Sequence, residues 1–302
     1  MSSTLAAFSH SDHAPSRLTG PIVVSIGENG AHVLRAAAVL APLVHDRVHV
    51  YSAIEPRRAE TTDGEPIAVA TDLEESRKES RVKHLSAGLA EVRSTECRWP
   101  LEVEHGDPVS GLLRRASELD AALVMVGIGR QRPMDRLLGG ETTLRVIRHT
   151  CCPVLAVNGE LQRRPRSVVV ATDFSPQSMR AARTALPLLA AGSTLHVVHV
   201  WQPTITDDPQ VHGIEKMYSR SITARLVRFV ADLRTPPGVS VRTEVREGRG
   251  ATQLIAYANE HRADLIVAGR RGPDTIAHAF VGSVTTSLLR GATCSVLVAP
   301  ER

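Results

Sequence analysis

The sequence predicts an α/β protein made of two tandem copies of one domain, each a five-stranded parallel sheet with helices on both faces. Three observations carry that prediction. The chain repeats itself at an offset of 142 residues. Each copy alternates short β-branched runs with longer helical patterns. The runs are apolar throughout, as expected of strands buried on both faces, whereas strands with one wet face alternate.

Set without a gap, residues 101–158 and 243–300 are identical at fifteen of 58 positions, including Gly127 with Gly269, Gly140 with Gly282 and Cys152 with Cys294. Upstream, PIVVSI (21–26) lies over SVVVAT (167–172), and RAAAVLAPL (35–43) over RAARTALPL (180–188). A period this long marks a duplicated domain and not a solenoid unit. In the second copy SVVVAT is the first strand, and Ser175 with Pro176 reads as an N-cap followed by proline at the first helical position. LHVVHV (195–200) follows as a strand, then a helix over about 211–234, VSVRTEV (239–245), and a helix over about 250–261. DLIVAG (264–269), a loop, a helix from Gly282 and SVLVAP (295–300) complete the unit. This order implies right-handed crossovers and a ligand site beyond the carboxyl ends of the strands. The expected organisation is a disordered tail over 1–20, a first domain over 21–158, a linker over 159–166 and a second domain over 167–302.

Composition narrows the function. With 42% hydrophobic and 23% charged residues the chain reads as soluble, and no stretch has the roughly 18 unbroken apolar residues of a membrane span. The net charge of +4 is mild and comes from arginine, Lys78, Lys83 and Lys216 being the only lysines. With 3% aromatics there is little to stack on bases, so an anionic small ligand is expected in preference to nucleic acid. The first twenty residues lack the basic start and apolar core of a secretion signal, and the four cysteines form no framework, which together suit a cytoplasmic location. His10 and His13 in that tail read as solvated, and Cys151 and Cys152 as buried thiols beside PVLAV.

The candidate site is AGRRGPDTIAHAFVGSVTTSLLR (268–290). Gly269 ends the fourth strand, Gly272 follows in a sharp turn, and Gly282 with Ser283 opens a helix whose free amides and dipole favour an anion. Arg270 and Arg271 in this loop, with Arg246 and Arg249 beyond the third strand, are expected to supply positive charge, making a polyphosphate cradle. The alternative is that the glycines only end a strand and cap a helix. There is no G-x4-G-K-[ST], and GIGRQR (127–132) fails G-x-G-x-x-G, so neither a P-loop hydrolase nor a dinucleotide dehydrogenase is indicated.

The spacing G-x2-G-x9-G-[ST], complete in Gly269, Gly272, Gly282 and Ser283, resembles the nucleotide-binding signature of the universal stress protein family. TDFS (172–175), the HV that closes the second strand, and GSVT at the last helix extend the resemblance, which covers residues 21–157 and 167–300. It implies a Rossmann-like, adenine nucleotide alpha hydrolase-like domain that binds ATP, with or without Mg2+, and acts as a stress-response regulator or sensor. It also implies roles for individual residues: Asp173 on the nucleoside, Val200 in the adenine pocket, and Ala268, Gly269, Gly272, Gly282, Ser283 and Val284 on ribose and phosphates. Taken alone, Asp173 reads equally as a cap for the helix near Ser175. Family members pair through their last strands, which implies pairing of the two domains within the chain, and a homodimer beyond it. The alternatives are a nucleotide-independent scaffold or a weak ATPase. Asp173, Glu247, Asp274 and His278 stand in no catalytic or metal spacing, so no catalytic residue is expected.

The first copy departs from the signature. SIGENGAH (25–32) puts Gly27 or Glu28 where Asp173 stands; Arg130 replaces Gly272 and Glu141 replaces Ser283. The expectation is a first domain that holds no nucleotide, with Arg130 and Glu141 paired in the vacated site, or Glu141 simply opposing its helix dipole.

Overall fold

The structure is a computed structural model of the 302-residue chain, described at residues 18–27, 30–55, 69–92, 99–128, 135–202, 209–270 and 281–301. In the first domain the strands are β1 (Ile22–Ser25), β2 (Val48–Ile54), β3 (Leu101–His105), β4 (Leu123–Gly127) and β5 (Val154–Val157). Its helices are α1 (Ala31–Leu40), α2 (Val69–Val92), α3 (Pro108–Glu118) and α4 (Asp135–His149). The second domain repeats the order with β6 (Ser167–Thr172), α5 (Pro176–Ala185), β7 (Thr194–Trp201), α6 (Pro209–Leu233) and β8 (Ser240–Glu247). It closes with α7 (Gly250–Glu260), β9 (Leu265–Gly269), α8 (Ser283–Gly291) and β10 (Ser295–Ala299).

The ten strands form one sheet in the order β3-β2-β1-β4-β5-β10-β9-β6-β7-β8. Within each domain every pairing is parallel; β5 and β10 meet antiparallel, with Leu155 opposite Leu297. The two domains therefore pair through their last strands inside the chain. Because that seam is antiparallel, the carboxyl ends of one domain's strands lie on the same side of the sheet as the amino ends of the other's.

The apolar runs behave as double-sided burial requires. Val168, Val169, Val170, Ile266, Val267, Val296 and Leu297 have no accessible surface. One face of the sheet is covered by α1, α2, α5 and α6, and the other by α3, α4, α7 and α8; each face forms one apolar cluster that runs across both domains. At about 25 cal/mol per Å2, every fully buried valine or leucine adds roughly 1.5–3 kcal/mol to the fold. The outer strands end this pattern: β8 has no fully buried residue and carries Arg242, Glu244 and Arg246, charges that keep an open sheet edge from pairing with another chain.

One local expectation changes. Cys151 is exposed, and only Cys152, half-buried, packs against the second cluster; both are free thiols, and Cys97 lies outside the described residues. In the linker, the Arg164 guanidinium donates to the carbonyls of Pro187, Leu188 and Leu189, which end the short 3-10 turn after α5. Among the described residues, no helix is long and apolar enough to cross a membrane.

Candidate functional site

In the second domain the first and fourth strands, β6 and β9, lie side by side. The helix after β6, α5, covers one face, and the helix after β9, α8, covers the other. The chain thus leaves neighbouring strand ends in opposite directions and opens a crevice at their carboxyl ends, the position where parallel sheets take ligands. Asp173 follows β6, Val200 nears the end of β7, and Ala268 and Gly269 end β9. Gly282 caps α8. Arg271 and Gly272 lie outside the described residues.

The α8 end is built from small groups. Gly282 offers no side chain to cap the helix, so the first-turn amides keep their donor capacity, and Ser283 and Val284 beside it are exposed. The main chain closes the loop mouth: Arg270 N donates to Ala299 O at 3.0 Å, and Gly282 N to Arg270 O at 2.9 Å. Thr285, 3% exposed, donates its hydroxyl to Gly269 O at 2.8 Å and ties the strand end to the helix start. Glycine at position 250 brings the start of α7 close: a Cβ there would stand 3.1 Å from Val284 Cγ2. Two helix N-termini thus converge on one rim. Thr285 was legible only as part of GSVT; its role as a tie needed the fold.

The Asp173 turn is braced from below. Asp173 Oδ1 accepts from Ser175 N at 2.9 Å, while Ser175 is the N-cap of α5 and accepts from Ser178 N at 3.1 Å. Asp173 therefore shapes the turn into the helix and leaves the capping to Ser175. Phe174 takes a left-handed φ of 64°, and its N–H donates to Thr172 Oγ1. Behind the turn, His199 is 4% exposed; its Nδ1 lies 2.8 Å from Thr172 O, and its Nε2 lies 3.2 Å from the Tyr218 hydroxyl. A carbonyl only accepts, so Nδ1 carries the proton and Nε2 accepts from Tyr218. Burial pushes the His199 pKa down, which keeps the ring in this neutral form. The Arg225 guanidinium lies 4.4 Å from the Phe174 ring centre, on the outside of the cluster. No spacing in the sequence links Tyr218 or Arg225 to the rim.

Two arginines expected at the phosphates are turned elsewhere. Arg246 pairs with Glu260 at 2.5 Å and Glu244 at 3.4 Å and lies over Tyr257, because its strand position faces α7. Arg270, 11% exposed, sends its guanidinium away from the crevice to the carbonyls of Ile147, Arg148 and Thr150 and to Glu301. Arg249 is the N-cap residue of α7, with no side-chain cap bond. Among the described residues, no group of three His, Cys, Asp or Glu is placed to hold a metal.

The corresponding rim of the first domain is covered. A Cβ built on Gly127 would meet Val33 Cγ2 at 3.0 Å and His32 Nε2 at 3.2 Å, so the first turn of α1 lies directly over the strand end. Glu141 pairs with Arg290 of α8, at 3.2 Å across the domain seam, instead of filling its own site; Arg130 lies outside the described residues.

Comparison with known proteins bears on this arrangement. The sequence profile of the universal stress protein family matches twice, over residues 20–158 and 165–300. A universal stress protein of Mycobacterium tuberculosis is 30% identical over 190 residues, 60% of this chain and 62% of that protein. One from Methanocaldococcus jannaschii is 26% identical over 137 residues, 44% of this chain and 81% of that protein. In fold, the chain is similar to the crystal structure of a universal stress protein from Archaeoglobus fulgidus, with a TM-score of 0.63 at 18% identity, covering 94% of this chain and 97% of that one.

Proposed function

The chain belongs to the universal stress protein family, and from that premise we propose that its second domain binds an adenine nucleotide, ATP above all, and that the chain acts as a nucleotide-dependent regulator. The observation that carries this reading is the mouth of α8. An uncapped helix N-terminus with exposed Ser283 and Val284 stands beside Gly269 at the crevice between β6 and β9. Such an end offers several N–H donors and a positive dipole to an anion, without needing a lysine. In this reading the Ser283 and Val284 amides and the Ser283 hydroxyl hold phosphate oxygens, Gly282 letting them approach. Val200, half-buried, and Val284, 38% exposed, supply apolar surface for a base. Asp173 accepts from nucleoside hydroxyl or amine groups with the capacity its turn leaves free. Arg271 and Gly272 complete the signature from outside the described residues. The Mg2+ that accompanies ATP enters on the phosphates.

The first domain, in this reading, holds no nucleotide, since α1 covers its strand end and Glu141 puts a carboxylate on α4 where the second domain has Ser283. The chain thus has one live site and works as a cytoplasmic sensor with at most slow hydrolysis. The test is mass spectrometry of whatever the purified chain releases on denaturation, backed by calorimetric titration with ATP and Mg2+. One adenine nucleotide per chain, lost in Gly272→Arg, is the expected result. Two per chain would overturn the reading of the first domain, and none by either method would overturn nucleotide binding altogether.

A further inference from the structure

Arg270 occupies an unusual position in this molecule. Its main chain governs the mouth of the site, the N–H tied to the end of β10 and the carbonyl tied to Gly282. Its side chain belongs to the other domain: Nη1 lies 3.1 Å from Arg148 O and 3.4 Å from both Ile147 O and Thr150 O, at the C-terminus of α4. Nη2 pairs with Glu301 at 3.3 Å, so the charge is balanced where it is buried. The last carbonyls of a helix have no partner inside it and carry the negative end of its dipole, so a guanidinium is the side chain best suited to collect several of them.

The antiparallel seam is what makes this contact possible. It sets the lower end of α4, a first-domain helix, against the upper rim of the second domain. The reverse contact is of another kind. At the C-terminus of α8, Ala292 O accepts from Asn158 Nδ2 at 2.7 Å, and Asn158 N donates to Ser295 Oγ at 3.1 Å. Asn158 is neutral and directly follows β5, and the residue aligned with Arg270 in the first domain is Ile128. Among the described residues, then, it is the second domain's strand end that sends a charged side chain into its neighbour's helix end. A second tie between the same helices, Arg290 with Glu141, keeps α4 and α8 together.

We propose that Arg270 is a positioning residue through which the first domain, by the C-terminus of α4, holds the mouth of the second domain's nucleotide site and sets its affinity. The proposal rests on the reading of that site given above. The domain without a phosphate cradle then has a role of its own, as the fixed support against which Arg270 and, through its carbonyl, Gly282 are held. By linkage, a nucleotide that tightens this mouth must in turn tighten the end of α4, since coupling between two sites is reciprocal.

The experiment compares wild type, Arg270→Met and Arg270→Lys in calorimetric titration with ATP and Mg2+, and in hydrogen–deuterium exchange of peptides covering residues 147–151 with and without ATP. Methionine keeps the unbranched stem and removes every donor; lysine keeps a cation that reaches fewer carbonyls. The expected result is an ATP affinity lowered about tenfold in Arg270→Met, partly restored in Arg270→Lys, with exchange at 147–151 slowed by ATP in wild type and unresponsive in Arg270→Met. Circular dichroism identifies a methionine variant that does not fold, in which case the lysine variant carries the same comparison. Equal affinity in a folded variant overturns the coupling. So does weakened affinity in which ATP leaves exchange at 147–151 unchanged in wild type, since Arg270 would then act on the ligand directly. Failure of wild type to bind ATP is a different result: it refutes the reading of the site, and the coupling falls with it.

Discussion

Ser283→Glu places in the second domain the residue that the first domain already has at the corresponding point, Glu141, and it moves stability and binding in opposite directions. Ser283 is the first residue of α8 and exposed, and Gly282 before it supplies no side-chain cap. A carboxylate there meets the positive end of the helix dipole and stabilises the fold by about 0.3–1 kcal/mol, or a rise in Tm of roughly 1–2 °C. The same carboxylate stands where the phosphates are expected. At a separation of about 4–6 Å and an effective dielectric near 20, two unit charges repel by about 3–4 kcal/mol; halved for the exposure of this rim, about 2 kcal/mol remains. That is roughly a thirtyfold loss of affinity for ATP. Calorimetric titration and a thermal melt on the same preparation read both quantities. A Tm held or raised with ATP binding weakened by an order of magnitude is the expected pair. Unchanged affinity in a variant at least as stable as wild type would refute the assignment of the phosphates to the start of α8, because damage to the fold could not then be the explanation.

Thr285→Val keeps shape and removes the hydroxyl that ties the helix to Gly269 O; unfolding by urea is expected to show a loss of about 1–2 kcal/mol, with ATP affinity lowered as Gly269 and Gly282 drift apart. A pH dependence follows from His196, which is 4% exposed, lies 3.0 Å by Nδ1 from the Tyr257 hydroxyl and stands near His261 and Arg242. Burial pushes its pKa down from 6.5 to about 4, so the folded chain resists the proton that the unfolded chain accepts. The stability is present in full above pH 6.5 and is lost as the pH falls toward 4, in total about 3 kcal/mol. Urea unfolding at pH 7.5 and pH 4.5 checks it: His196→Leu is expected to lose less stability between the two than wild type, and equal losses would contradict the assignment.

The second domain was largely legible because its signals are local. SVVVAT, DLIVAG and SVLVAP are apolar enough that only a doubly covered strand accommodates them, and they became β6, β9 and β10 within a residue or so of their expected limits. Ser175 followed by Pro176 marked the start of α5 because an N-cap is a property of adjacent residues. The arginines were read less well. Position in sequence brought Arg246 and Arg270 to the rim, but a long side chain reaches whatever acceptor lies within about 6 Å of its backbone, and those acceptors, Glu260 and the end of α4, are supplied by other elements. Glu141 likewise has a partner that sequence position does not reveal, since Arg290 comes from the neighbouring domain. The Tyr218–His199–Thr172 chain beneath Asp173 left no trace in spacing at all.

The sequence alone determined what depends on neighbours along the chain: the duplication, the strand and helix order, the parallel sheets, and the glycines that leave the start of α8 uncapped. The tertiary structure alone decided which side chains meet across the seam. The antiparallel joining of β5 to β10 sets the upper rim of one domain against the lower helix ends of the other, and a contact such as Arg270 with the carbonyls of α4 exists only once both domains have folded and docked.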